Sequence, residues 1–175
     1  MTQIIPEIDS SVFIAEGVKI MGYVKIKEDS SIWYNSVIRA DDENTRIEIG
    51  KRTNIQDGTV IHVDHNQSAV IGDNVTVGHN CTIHACTIEE GCLIGMGSTI
   101  LSGAVIKSGA VVGAGAVVKE NMVVENNTLV VGIPAKQVKV FPEEIFQKNI
   151  QHAERYVQFA NEHKQGKYPV LSKSN

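Results

Sequence analysis

Three of the chain's six histidines, His62, His79 and His84, fall in one short stretch of an otherwise Ile/Val/Gly-rich sequence. Histidine is the commonest metal ligand among side chains, and three imidazoles with a fourth position left open is the arrangement of a catalytic metal, whereas structural sites close all four positions. Near them the sequence places Arg39, Asp41, Gln56 and Asp57. A guanidinium and two carboxylates can orient metal ligands through charge-assisted hydrogen bonds. The side-chain amide of Gln56 can orient a metal-bound hydroxide or a substrate oxygen. Whether these groups meet depends on the elements that carry them.

Those elements follow a period of six. Aliphatic residues recur at Ile14, Ile20, Ile26, Ile32 and Ile38, at Ile49, Ile55 and Ile61, at Ile71, Val77 and Ile83, and, after a single-residue deletion, from Ile88 through Ile94, Ile100, Ile106, Val112, Val118 and Val124 to Val130. Four residues after most of these comes a small or modest residue such as Ser36, Thr53, Thr59, Cys81, Cys92, Ala104 or Ala110. Gly or Asn often stands just before the small residue, where a sharp corner needs positive φ: Gly17, Asn35, Gly58, Asn74, Asn80, Gly91, Gly97, Gly103, Gly109 and Gly115. Neither a 3.6-residue nor a two-residue period fits this register. Short strands joined by tight corners do, three hexads to a coil, giving a parallel β-helix of roughly six to seven coils in which each coil buries its neighbour's edge.

The repeat resembles that of the hexapeptide-repeat family, whose members form left-handed parallel β-helices and usually trimerise; the left hand rests on that resemblance, because general rules favour right-handed crossovers. The fold expected is all-β, with a β-helix over residues 1–141, one C-terminal α-helix over 142–165 and a loose tail over 166–175. Pro142 opens the helix, and Phe146, Ile150, Ala153, Val157 and Ala160 give it an apolar stripe that lies on the prism or on a neighbouring subunit. Two steps longer than six, Ile38 to Ile49 and Ile61 to Ile71, place loops at "ADDENTR" and "VDHNQSA". Insertions in a repeat protein cluster on the functional face.

The register also tests the histidines. His62 and His84 each follow an inward aliphatic and lie three repeats apart, so they stack on one face, roughly 4.8 Å apart along the axis. Arg39 precedes His62 by one coil in the same column, with Asp41 at the start of the first loop. His79 belongs to a different face, one coil beyond Gln56 and Asp57. A three-fold assembly, with one face of each protomer against a different face of the next, brings His79 to a neighbour's His62 and His84 and makes an Arg39–Asp57 bridge between subunits plausible. Arg39, Asp41 and Asp57 serve either trimer pairing or the site itself.

Sixteen basic and twenty acidic side chains leave a net charge of -4, with no basic run to suggest nucleic acid or a membrane surface. The start of the sequence has no secretory pattern and no apolar run is long enough to span a bilayer, so the expectation is a cytoplasmic protein acting on small molecules and assembling with itself. The three cysteines read as reduced core fillers, with Cys86, just beyond His84, a further conceivable ligand.

Read together, "IRADD", "IEIGKRTNIQDGTVIHV" and "VGHNCTIHACTIEEGCLIGMGS" resemble the gamma-class carbonic anhydrase family over about residues 10 to 140. The resemblance implies reversible hydration of CO2 to bicarbonate on Zn2+, or on Fe2+ or Co2+. It matches His62 and His84 to ligands of one subunit and His79 to the adjacent subunit's ligand. Arg39 and Asp57 match an intersubunit pair, Asp41 and Gln56 the polar lining, and Tyr156 a tyrosine that approaches the site in some relatives. The cation lowers the pKa of water to about 7, so that a hydroxide nucleophile exists at neutral pH. A long acidic loop found in fully active members is replaced by the short "VDHNQSA", which leaves Asp42, Asp64 and His65 as the conceivable proton shuttles and implies low activity. Two other readings stand beside this one: a hexapeptide acyltransferase or CoA-ester enzyme, to which "GIPAK" at residues 132–136 also points, and a non-catalytic trimer stapled by metal.

Overall fold

Strands of two to four residues alternate with tight corners from Glu7 to Val131 in the computed structural model, which describes residues 3–171. They build three sheets, one for each face of a prism. The first runs in seven strands from Glu7–Ile8 to Val123–Val124, the second in seven parallel strands from Phe13–Ile14 to Thr128–Val131, and the third in six from Lys19–Gly22 to Val117–Val118. Each strand pairs with its counterpart one coil away and in step, as Ile61 does with Ile83 and Ile83 with Ile100. The fold is a parallel β-solenoid, as the six-residue period requires.

The aliphatic column from Ile26 to Val130 is at most 2% exposed and fills the axis. Each such isoleucine contributes about 1.5–3 kcal/mol of burial. Ile14 and Ile20 in the first coil are only partly covered, because that coil has a neighbour on one side only. The inward polar residues satisfy themselves across coils. Ser30 Oγ donates to Gly50 O at 2.6 Å, Thr53 Oγ1 to Gly72 O at 2.7 Å and Thr59 Oγ1 to Gly78 O at 2.9 Å. Among the described residues no buried side-chain nitrogen or oxygen lacks a partner.

All ten corner positions named from the sequence have positive φ, between +55° and +80°. Asp29, Arg52, Asn121 and Asn127 fill the same role, and the Arg52 Nε–H donates to Asn74 Oδ1 at 2.9 Å beneath it. The short repeat after Ile83 is accommodated by Ala85, a buried residue in the left-handed region at φ +43°. That conformation costs an alanine about 1–2 kcal/mol, and it turns the chain immediately after His84.

After the prism, Lys136–Val140 folds back antiparallel on Thr128–Val131, an element outside the hexad pattern. The helix then runs Glu144–Lys164 along the second face, against the strands Phe13–Ile14, Ser31–Ile32, Asn54–Ile55 and Thr76–Val77 of the same chain. Its contact stripe is rotated from the one expected. Asn149, Ala153 and Ala160 are buried, while Phe146, Ile150 and Val157 are only partly covered. Asn149 Nδ2 donates to the carbonyls of Gly91 and Gly109 at 2.9 and 3.3 Å, and the Phe146 ring fills the space a Cβ on Gly91 would need. Beyond the helix, Tyr168 is anchored, its hydroxyl donating to Glu162 Oε2 at 3.0 Å, while residues 172–175 of the expected tail lie outside the described residues. Among the described residues no helix is long and apolar enough to cross a membrane.

Candidate metal centre

His62 ends the strand Val60–His62 and His84 ends Thr82–His84, neighbours in the third sheet with His62 directly opposite His84 and Arg39 directly opposite His62. The column Arg39, His62, His84 is therefore real. The two rings sit 5.3 Å apart, with His62 Nδ1 3.3 Å from His84 Nε2. At the other ring nitrogen, His62 Nε2–H donates to Asp41 Oδ1 at 3.2 Å, and Asp41 also accepts from Arg39. These two donors, His62 first, hold the Asp41 carboxyl below the usual carboxylate range.

His79 stands at the edge of the second face, one coil beyond Asp57. Its Nδ1–H donates to Asp57 Oδ2 at 2.7 Å, which fixes the tautomer and leaves Nε2 as a free lone pair. Beside it Gln56 is 3% exposed, its amide held by a bond from Nε2 to Asn54 Oδ1 at 3.0 Å. Asn54 in turn donates to Thr76 Oγ1 at 2.9 Å. Tyr156 comes to this corner from the helix, its ring against Trp33 and His152. Burial first, and the charge of Asp57 second, push its phenol up, against a weaker pull from Gln56.

Within one chain the third-face histidines and His79 do not meet. Among the described residues no three His, Cys, Asp or Glu side chains are close enough to share an ion. Within the chain Arg39 pairs with Asp41, and Asp57 with His79. The donor set nevertheless suits a divalent cation of borderline softness: two adjacent imidazole nitrogens on one face, and a third imidazole anchored by a carboxylate on the other. Cys86 contributes nothing to it. The hexad after the deletion turns its thiol into the core, 2% exposed, where burial pushes its pKa up to about 12.

A cleft of about 400 Å³ runs from Gln56, Thr76 and His79 along the second face, floored by Gly78, Gly95 and Gly113 and walled by Leu93, Met96, His152 and Tyr156. His152 was not singled out from the sequence, although it lies one helical turn before Tyr156 and so shares its face. Burial, helped by Arg155, lowers its pKa.

Comparison with known proteins adds to this geometry. Residues 85–120 match the bacterial transferase hexapeptide pattern of six repeats, and residues 68–85 the hexapeptide repeat of succinyl-transferase. A carbonic anhydrase of Geobacillus kaustophilus is 49% identical over 72 residues, which are 41% of this chain and 38% of that protein. The match thus spans well under half the length of that curated relative. Two solved structures match nearly end to end. A Bacillus cereus protein provisionally described as an acetyltransferase is 41% identical with a TM-score of 0.87, over 91% of this chain and 92% of that one. A hexapeptide transferase family protein from Anaplasma phagocytophilum is 37% identical with a TM-score of 0.83, over 90% and 92%.

Proposed function

The chain belongs to the gamma-carbonic-anhydrase-like hexapeptide-repeat family, and from that premise we propose that it hydrates CO2 reversibly to bicarbonate at metal sites shared between the subunits of a homotrimer. The observation that carries this reading is the His62–His84 pair, ring nitrogens 3.3 Å apart on one face, with the carboxylate-anchored His79 on another. In a three-fold assembly His62 and His84 of one subunit and His79 of the next would hold Zn2+, Fe2+ or Co2+. Such a cation supplies Lewis acidity, bringing the pKa of water down to about 7.

The chain's own residues do the positioning. Asp57 keeps the His79 proton on Nδ1, and Asp41, which also accepts from Arg39, keeps the His62 proton on Nε2. Gln56, locked by Asn54, offers its amide carbonyl to orient the attacking oxygen. Tyr156, kept protonated by burial and by Asp57, donates a hydrogen bond to a substrate oxygen. Stopped-flow CO2 hydration on protein loaded separately with Zn2+, Co2+ and anaerobic Fe2+ tests the reading, with His84→Ala as the blank. Metal-dependent turnover missing from the variant supports it. Confirmed loading without turnover under any metal rejects it.

A second reading, transfer or hydrolysis of an acyl-CoA ester, is favoured by the transferase names of the two solved relatives and by the size and apolar walls of the cleft. Under it a single histidine acts as general base, and turnover of acyl-CoA survives loss of metal. The third reading, a metal that only staples the trimer, predicts that His84→Ala weakens the assembly while the intact protein leaves CO2 hydration at background.

A further inference from the structure

His84 has a partner that neither its repeat position nor the other histidines supply. Its Nδ1 lies 2.9 Å from Ser102 Oγ, and Ser102 Oγ donates to Asp64 Oδ2 at 3.0 Å. The other oxygen of Asp64 accepts from the backbone N–H of His65 at 2.8 Å. A charged carboxylate only accepts, and a hydroxyl has one proton to give. The Ser102 proton is committed to Asp64, so its oxygen accepts from His84, and His84 carries its proton on Nδ1 with a lone pair on Nε2. Across from it, His62 gives Nε2–H to Asp41, which leaves Nδ1 bare. Two bare nitrogens therefore face one another at 3.3 Å. Neither can donate to the other, and a cation or a shared proton is what reconciles them.

We propose that Ser102 and Asp64 are positioning residues that fix His84 in its Nδ1–H tautomer and thereby present its Nε2 lone pair, beside that of His62, to the cation. The proposal rests on the metal reading above. It also gives the second insertion a purpose. Residues 64–67 close on themselves through reciprocal backbone bonds between Asp64 and Gln67 at 3.0 Å each, with Asn66 in the left-handed region at φ +58°. His65 Nδ1, 3.0 Å from Asp42 Oδ2, ties that turn to the first insertion. The turn is thus a clamp that holds a carboxylate over Ser102, and through Ser102 over His84. Carboxylate partners of this kind set the basicity and orientation of ligating imidazoles.

The test compares wild type, Ser102→Ala, Ser102→Thr and Asp64→Asn by long-range 1H–15N NMR of the metal-free proteins, which reads which ring nitrogen of His84 carries the proton, and by equilibrium binding of Zn2+ and Co2+. Expected is an Nδ1–H His84 in the wild type, displacement of that proton to Nε2 in Ser102→Ala and its return to Nδ1 in Ser102→Thr, which keeps the hydroxyl. Cation affinity falls roughly 10–100-fold in Ser102→Ala and Asp64→Asn and recovers in Ser102→Thr. A Ser102→Ala protein that keeps the Nδ1–H tautomer and wild-type affinity overturns the proposal and leaves the metal reading intact. A wild type that binds neither cation removes the metal reading, and the proposal with it, whatever the spectra show.

Discussion

At the scale of single residues, the proposed site would work by assigning protons. Each imidazole has one nitrogen held by an oxygen partner, so the other is available: Asp41 for His62, Asp57 for His79, Ser102 for His84. Asp57→Asn removes the charge behind His79 while keeping its shape. It is expected to weaken cation binding roughly 10–100-fold with little change in thermal stability, measured by equilibrium dialysis beside a melting curve. The buried thiols carry a pH signature of a different kind. Burial pushes Cys86 and Cys92 from an ordinary 9.0 up to about 12. A group whose pKa is raised in the folded state contributes stability that is complete below its unfolded value and lost as pH rises toward the folded one, so the relevant window is about pH 9 to 12. Denaturant midpoints taken between pH 8 and pH 10.5 should fall by an amount equivalent to about 2 kcal/mol per thiol. A Cys86→Ala/Cys92→Ala protein, less stable at pH 8, should show a shallower decline; an unchanged slope would mean the thiols are not the cause.

At the scale of elements, corners and docking contacts carry distinct costs. Gly97 has positive φ with open space where a Cβ would stand, so Gly97→Ala carries only the left-handed backbone penalty, about 1–2 kcal/mol. Gly58 has the same conformation but stands against Asn80 Oδ1 where a Cβ would be, so Gly58→Ala must also displace that amide and should unfold at lower denaturant than Gly97→Ala. On the helix, Asn149→Ala leaves the carbonyls of Gly91 and Gly109 without their donor, a loss of about 1–3 kcal/mol by chemical denaturation. The hexad and its corners were legible in the sequence because a solenoid repeats one local solution, and the same register put Arg39, His62 and His84 in one column. What escaped has physical reasons. Asn149 breaks an apolar stripe because it serves backbone groups rather than a greasy surface. Ser102 was hidden because the repeat after His84 is one residue short, which pairs Ile83 with Ile100 rather than Leu101 and leaves Ser102 outside the paired residues. The antiparallel strand Lys136–Val140, exposed along its length, has no periodicity to announce it.

At the scale of the whole molecule, the proposed site is divided between chains, and that division has a signature no single variant can show. His79→Ala and His84→Ala should each lose the metal. Refolded together in equal amounts, they should regain about a quarter of the wild-type metal content, because one in four interfaces then joins an intact His62–His84 face to an intact His79. No regain would place all the ligands within one chain or outside these residues. The helix is the last element of the chain to be synthesised. It follows the prism in the chain, yet it lies on the first coils: Tyr34 Oη is 3.1 Å from His163 Nδ1, and the Trp33 ring is shared between Tyr156 and His163. During synthesis those early coils emerge with Phe13 and Trp33 uncovered and wait for nearly the whole remaining chain before their cover arrives. The corner that holds Gln56 against Tyr156 is completed in the same late step, so a nascent chain released before the helix would carry its histidines and an unfinished site.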